Sequence, residues 1–252
     1  MKISEIDPAR LQALNSGITE TTHLSECLAV DFSALVHAVF PEIANTESAT
    51  IKTMPSQGIS RRMSVMGDLL ARHFGEDDLV ALRLHRSDTV RGWACFALAT
   101  TSADDLDAVL EASRPFADDA HFGVREWAWL AARPLVTRDI EASIGRLRPW
   151  TADPSERIRR FASEVTRPRG VWCAHIRALK EEPQHGLPVL EPMRADPARY
   201  VQDSVGNWLN DAVKSRPDWV RSLCTRWAAE ASGPETARII KRATRSLKPI
   251  VE

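Results

Sequence analysis

The sequence lacks several features that would narrow its function at once. No apolar run approaches the roughly 18 residues of a membrane-spanning helix, so no span is expected. The opening stretch MKISEIDPARLQAL has no basic segment leading into an apolar one, so no secretory leader is expected. Cysteine is scarce. Cys27, Cys95, Cys173 and Cys224 stand far apart with no Cys-x-x-Cys pair, which argues for structural thiols in a reduced, cytoplasmic setting and against a zinc centre. His121 and His175 are lone histidines without ligand spacing. No glycine-rich phosphate loop or nucleophile motif is present, and no run alternates apolar and polar residues as a strand does. Metal, cofactor and membrane partners are therefore not expected.

What is present is a large apolar fraction and an uneven charge. Of 252 residues, 44% are hydrophobic, enough for one large domain or one elongated array. The net charge of −1 conceals a gradient. Residues 1–120 carry 10 basic and 18 acidic groups, whereas residues 121–180 carry 12 basic and 6 acidic, eleven of the twelve being arginine. Such a cluster suits phosphate recognition by guanidinium forks; the alternative is a solvated helical surface laced with ion pairs one turn apart.

The apolar pattern is helical and it repeats. Residues 26–40 predict an amphipathic helix with Leu28, Phe32, Leu35, Val36 and Val39 on one face; residues 45–58 read as a loop, and 60–74 as another helix. Beyond these, Val90-Arg91-Gly92-Trp93-Ala94 recurs as Val124-Arg125-Glu126-Trp127-Ala128, Ile158-Arg159-Arg160-Phe161-Ala162 and Val201-Gln202-Asp203-Ser204-Val205, and more weakly at Ile239. The spacings are 34, 34, 43 and 38 residues, the period of helix-pair repeats in which each unit buries its face only by stacking on its neighbours. A preceding helix is expected in each unit over 103–113, 137–147 and 187–195, with Pro115, Pro149, Pro154, Pro197 and Pro217 between helices. The fold class is all-α: a solenoid of HEAT-like pairs over 59–252, with residues 1–58 as an N-terminal helical and loop region packed on it.

The recurring helices also define a polar face. The stripes Val124, Trp127, Ala128, Ala131, then Ile158, Phe161, Ala162, Val165, then Val201, Val205, Trp208, Ala212 follow buried helical spacing. Arg125, Glu126, Trp129, Arg133, Arg160, Glu164, Arg167, Asn207, Asn210 and Asp211 are expected on the opposite, outward side. Trp93, Trp127 and Trp208 read as core, and Trp150, Trp172, Trp219 and Trp227 as packing between repeats. Arginine forks could hold a phosphate backbone, an exposed indole could stack on a base, and carboxylates among arginines would stay ionised and could stabilise a cationic sugar or orient a water. The plainer reading is helix-surface pairing: Glu164 with Arg160 and Arg167, Asp211 with Lys214.

Two motifs carry a resemblance. Arg159-Arg160-Phe161-Ala162-Ser163-Glu164 with Arg167-Pro168-Arg169, and Tyr200-Val201, Ser204-Val205 and Leu209-Asn210-Asp211, are similar to bacterial alkylpurine DNA glycosylases of the AlkC/AlkD superfamily, nearer the AlkC side. The likeness spans about residues 85–248. It implies a C-shaped array whose concave face grips duplex DNA and releases positively charged N3- or N7-alkylated purines, acting as a monomer in the cytoplasm at the nucleoid. It implies Glu164 and Asp211 as catalytic acids. Arg125, Arg133, Arg159, Arg160, Arg167, Arg169, Asn207 and Asn210 then become DNA contacts. A third family acid falls on Trp129 here, with Glu126 one turn earlier as its substitute, and the family's Leu-Pro-Trp reads Gly170-Val171-Trp172. Three functions remain open at this point: a glycosylase, a catalytically silent protein that binds damaged or branched DNA, and a protein-interaction scaffold.

Overall fold

The computed structural model describes residues 2–247. Among them are seventeen α-helices, short 3-10 turns and no strand, and no helix is long and apolar enough to cross a membrane. The chain divides into two compact units, Met1–Ala132 and Arg133–Glu252.

In the first unit, Ile59–His73 packs on Asp88–Thr101, which packs in turn on Leu106–Ala117. Ile59, Met63, Met66 and Leu70 line the buried side of the first of these, while Arg72 and His73 sit in its last turn, where the helix dipole favours cations. The two helices approach so closely that a methyl group on Gly67 would meet the backbone carbonyl carbon of Phe96 at 2.8 Å. In the second unit, Arg199–Val213 lies between Glu156–Val165 and Pro234–Ala243. Ser163 and Ser204 share a hydrogen bond of 2.7 Å where the first two cross.

Four of the five recurring signals open a helix, the fifth lies midway along Pro234–Ala243, and the lead residues Val90, Val124, Ile158, Val201 and Ile239 are all buried. The three stripes that follow Val124, Ile158 and Val201 are buried as well, whereas Leu28 and Val39 of the N-terminal stripe are only half-buried. In the first four the residue after the lead has the same task. Nη1 of Arg91 donates to the His85 carbonyl, that of Arg125 to Asp119 and Ala120, and that of Arg159 to Asp153 and Pro154, while Nε2 of Gln202 donates to Asp196. The turn before a helix has carbonyls without helical donors, and a long side chain six residues on supplies one. Asp119, Asp153 and Asp196 open these turns, each accepting the N–H two residues ahead.

The N-terminal residues are fastened to the first unit by a buried polar knot. Thr21 donates through N and Oγ1 to the Asp88 carboxylate at 2.8 and 2.9 Å. The Gly123 N–H donates to Nδ1 of His121, so the ring's proton lies on Nε2, which donates to the Thr21 carbonyl at 2.6 Å. Glu26 accepts from Nε and Nη2 of Arg10, both at 2.9 Å, and from the Thr22 N–H at 2.7 Å. Cys27, Cys95 and Cys224 are buried free thiols. Burial pushes Cys27 up to about 12 and Cys224 to about 11, and raises Cys95 as well.

Several expected boundaries differ. The helix over 26–40 is two, Leu24–Ala29 and Phe32–Val39, because the Asp31 carboxylate accepts the N–H groups of Ser33 and Ala34 and starts a new helix. The loop over 45–58 is largely short helices, pinned by buried Ile51 and Met54. Pro115 falls inside Leu106–Ala117. The helix over 187–195 is one turn, Leu187–Leu190, continued by the 3-10 segment Glu191–Met193.

Gly67→Ala is expected to destabilise the protein by about 1–3 kcal/mol, since the obstructing atoms are backbone. Gly145→Ala, within Ile140–Leu147 and with nothing near its Cα, is expected to stabilise it by about 0.5–1 kcal/mol. Urea denaturation of the two variants measures both signs. A second expectation concerns acid. The Arg10 hydrogen bond holds Glu26 at about 2, below its ordinary 4.5. The stability this adds is complete above pH 4.5 and is lost as pH falls towards about 2; Glu26→Gln should flatten that limb of the stability–pH curve.

Candidate functional site

The C-terminus of Glu156–Val165 determines where the charged groups lie. Three successive carbonyls beyond the helical ladder are each met by a side-chain N–H. Nη1 of Arg133 donates to Val165 at 2.8 Å, the Trp208 indole to Thr166 at 3.0 Å, and Nη2 of Arg133 to Arg167 at 2.7 Å. Arg133 also reaches the Ala174 carbonyl and is buried. It is thus a cap on a helix end rather than an outward group.

This cap fixes Arg167 between two acids. Its Nη1 lies 3.1 Å from Oε2 of Glu164, and its Nε and Nη2 lie 3.0 and 2.9 Å from Oδ2 of Asp211. The other oxygen of each acid is less engaged. Oε1 of Glu164 has only the charge of Arg160 at 3.1 Å and no directed hydrogen bond, and Oδ1 of Asp211 has Lys214 at 3.8 Å. Arg160 stacks over Tyr200, 4.1 Å from the ring centre, and donates to the Tyr200 carbonyl. Both acids are buried, 1% exposed for Glu164 and 4% for Asp211, although their spacing suggested an outward face. The reason is the covering on two flanks of Arg199–Val213 and the neutralisation of both carboxylates by one guanidinium.

The electrostatics are those of a buried cluster. Burial raises the Asp211 carboxyl above its ordinary 3.8, against the pull of Arg167 and Lys214. Burial lowers Arg167, but the charges of Glu164 and Asp211 outweigh it and the net shift is upward. Beside the cluster, Val171 and Trp172 are exposed in a turn. Trp172 has φ 60° and is 41% exposed, so it does not pack between repeats as expected.

The remaining expected contacts are distributed among several tasks. Arg159 pairs with Asp196 and Arg169 donates to Ser215. Asn207 accepts from Arg242, and Asn210 is buried with its amide on the Ala243 carbonyl. In the first unit, Trp129 is buried rather than exposed, and its indole donates to Oε2 of Glu126 at 2.9 Å. Pairing of Glu164 with Arg160 and Arg167 was legible as helix spacing. The bridge from Arg167 to Asp211, 44 residues away, was not, and the only sequence signal for it was the pair of motifs.

An all-helical array built on this repeat is the architecture of HEAT-like-repeat alkylpurine DNA glycosylases. The structural neighbours of this chain are glycosylases of the AlkC and AlkD type, and it shares their fold. Pseudomonas fluorescens alkylpurine DNA glycosylase AlkC, bound to DNA containing an abasic site analog, matches with a TM-score of 0.71 and 26% identity, over 98% of this chain and 65% of that one. AlkD2 from Streptococcus mutans matches at 0.59 and 19% identity, over 85% of this chain and 97% of its own. The protein smu.31 of the same species matches at 0.62 and 18% identity, over 82% and 98%. The last two show the fold alone. In sequence, the uncharacterized protein YhaZ of Bacillus subtilis is 43% identical over 88 residues, which are 35% of this chain and only 24% of YhaZ. No protein-family profile matches.

The raised Asp211 carboxyl gives a prediction for stability. From pH 3.8 upwards the unfolded chain ionises this group before the folded chain does, so the folded state holds more protons and stability falls with rising pH across that interval. Relative to Asp211→Asn, the wild type should therefore lose stability as pH rises through the interval. Urea denaturation of both proteins between about pH 3.5 and 7 reads this difference.

Proposed function

We propose that the protein is a DNA glycosylase that hydrolyses the N-glycosidic bond of N3- or N7-alkylated purines in duplex DNA. The observation that carries this reading is the pair of buried acids, Glu164 and Asp211, each with one oxygen held by Arg167 and the other without a directed hydrogen bond. Its support is the shared fold with AlkC, whose structure contains DNA with an abasic site analog.

The chemistry asks little of the protein. An alkylated purine with a positive charge is already a good leaving group, so no proton need be donated to it. As the C1′–N bond breaks, its electron pair passes to the base, which departs neutral, and positive charge develops on the sugar. The carboxylates of Glu164 and Asp211 lower the energy of that charge, and a free carboxylate oxygen orients the water that attacks C1′ and accepts its proton. Arg160 and Arg167 stand beside the acids as phosphate-binding groups. The resemblance also offers Glu126, which in the structure accepts a hydrogen bond from the Trp129 indole.

A second reading, binding of damaged or branched DNA without base release, is favoured by one observation: the third family acid is Trp129, buried and committed to Glu126. The test that separates the two is release of methylated bases from N-methylated duplex DNA. The wild type should release them, and Glu164→Gln and Asp211→Asn should each be slower by about 100- to 1,000-fold, the typical loss when one group stabilising the transition state is removed. Intact DNA binding with no release by the wild type would establish the silent reading. Absence of DNA binding would leave the scaffold reading.

A further inference from the structure

Asn207 and Asn210 both hydrogen-bond to the last helix and the turn after it. Oδ1 of Asn207 accepts from Nε of Arg242 at 2.9 Å, Nδ2 of Asn210 donates to the Ala243 carbonyl at 3.0 Å, and Oδ1 of Asn210 accepts from Ser246 at 3.3 Å. These residues stand on the helix that carries Asp211, so the end of Pro234–Ala243 and the turn to Ser246 are tied to that helix. Two guanidiniums are carried there. Arg242 is partly exposed and meets Asp203 only at 3.4 Å. Arg245 is exposed, donates Nη1 to the Arg242 carbonyl at 2.8 Å, and among the described residues has no carboxylate partner.

Two surface arginines of this unit are differently placed. Arg226 pairs with both Glu191 and Glu230, and Arg177 with Glu181. An ion pair on the surface spends the charge of an arginine; Arg245 keeps its own. The surrounding charge is positive too. Partial loss of hydration, and then the repulsion of Arg242, lower the affinity of Arg245 for its proton, with Asp211 opposing and Arg167 adding to the repulsion.

We propose that Arg242 and Arg245 form a two-pronged clamp for the phosphodiester backbone of the nucleic acid strand presented to Glu164 and Asp211. Two guanidiniums three residues apart on a helix end reach successive phosphates or straddle one, and neither needs to break a strong ion pair to do so. The fastening by Asn207 and Asn210 keeps their position constant relative to the acids, which a flexible basic tail would not. This clamp rests on the glycosylase reading for its ligand and adds to it two arginines outside both sequence motifs.

Fluorescence anisotropy on an unmodified duplex, with the full chain at several salt concentrations, tests the clamp. Removing one arginine from a phosphate should lower the slope of log K against log salt by about 0.9. Arg242→Ala with Arg245→Ala should therefore flatten the slope by about 1.8, and Arg245→Glu alone, a change at an exposed side chain, by about 0.9 or more. Arg226→Ala should leave the slope where it is. Wild-type slopes in the Arg245→Glu and double variants would overturn the clamp while leaving the glycosylase reading intact, as would an equal fall in Arg226→Ala, which indicates bulk charge alone. A wild type that does not bind duplex DNA would overturn both.

Discussion

A helix end leaves carbonyls with no donors, and beyond Glu156–Val165 that deficit organises the candidate site. The carbonyls of residues 165, 166 and 167 are all met from other segments, two by Arg133 and one by Trp208. With the backbone of Arg167 held in this way, its guanidinium has one place to go, between Glu164 and Asp211. Two buried carboxylates would otherwise repel each other and lose their hydration without recompense. The site is therefore as much a solution to a backbone problem as an arrangement of charges, and Arg133 and Trp208 belong to it although neither meets a carboxylate.

Much of the fold could be read from the sequence because repetition is a strong signal. An aliphatic lead residue occurs five times, four of them at helix starts and all five buried, and the stripes after the first helical turns are buried as their spacing indicates. The failures have local causes. Asp31 capped a helix within an apolar pattern that was otherwise continuous, and short helices anchored by Ile51 and Met54 lie in a stretch whose composition suggests a loop. Helical spacing assigned faces correctly for a helix with one covered side. It misplaced Trp129, Arg133, Glu164, Asn210 and Asp211, because burial on a second side depends on what packs there, and that information is not periodic.

The arginine-rich stretch illustrates how composition and function separate. Read as charge, residues 121–180 suggest a phosphate-binding surface. In the structure Arg125, Arg133 and Arg159 all give hydrogen bonds to backbone carbonyls, and Gln202 does the same job without any charge. Guanidinium serves here as a long, multiply donating staple for turns. The cations that meet the acids are fewer: Arg160, Arg167 and Lys214.

The burial of the cysteines has a chemical corollary. A thiol attacks an electrophile as its thiolate, and the thiolate fraction at neutral pH falls tenfold for each unit by which the pKa rises. With Cys27 held at about 12 and Cys224 at about 11, and with Cys95 enclosed, three of the strongest nucleophiles in the chain are kept protonated and out of reach. A protein proposed to work where DNA is being methylated meets the same methylating agents, and its core offers them almost no thiolate to consume.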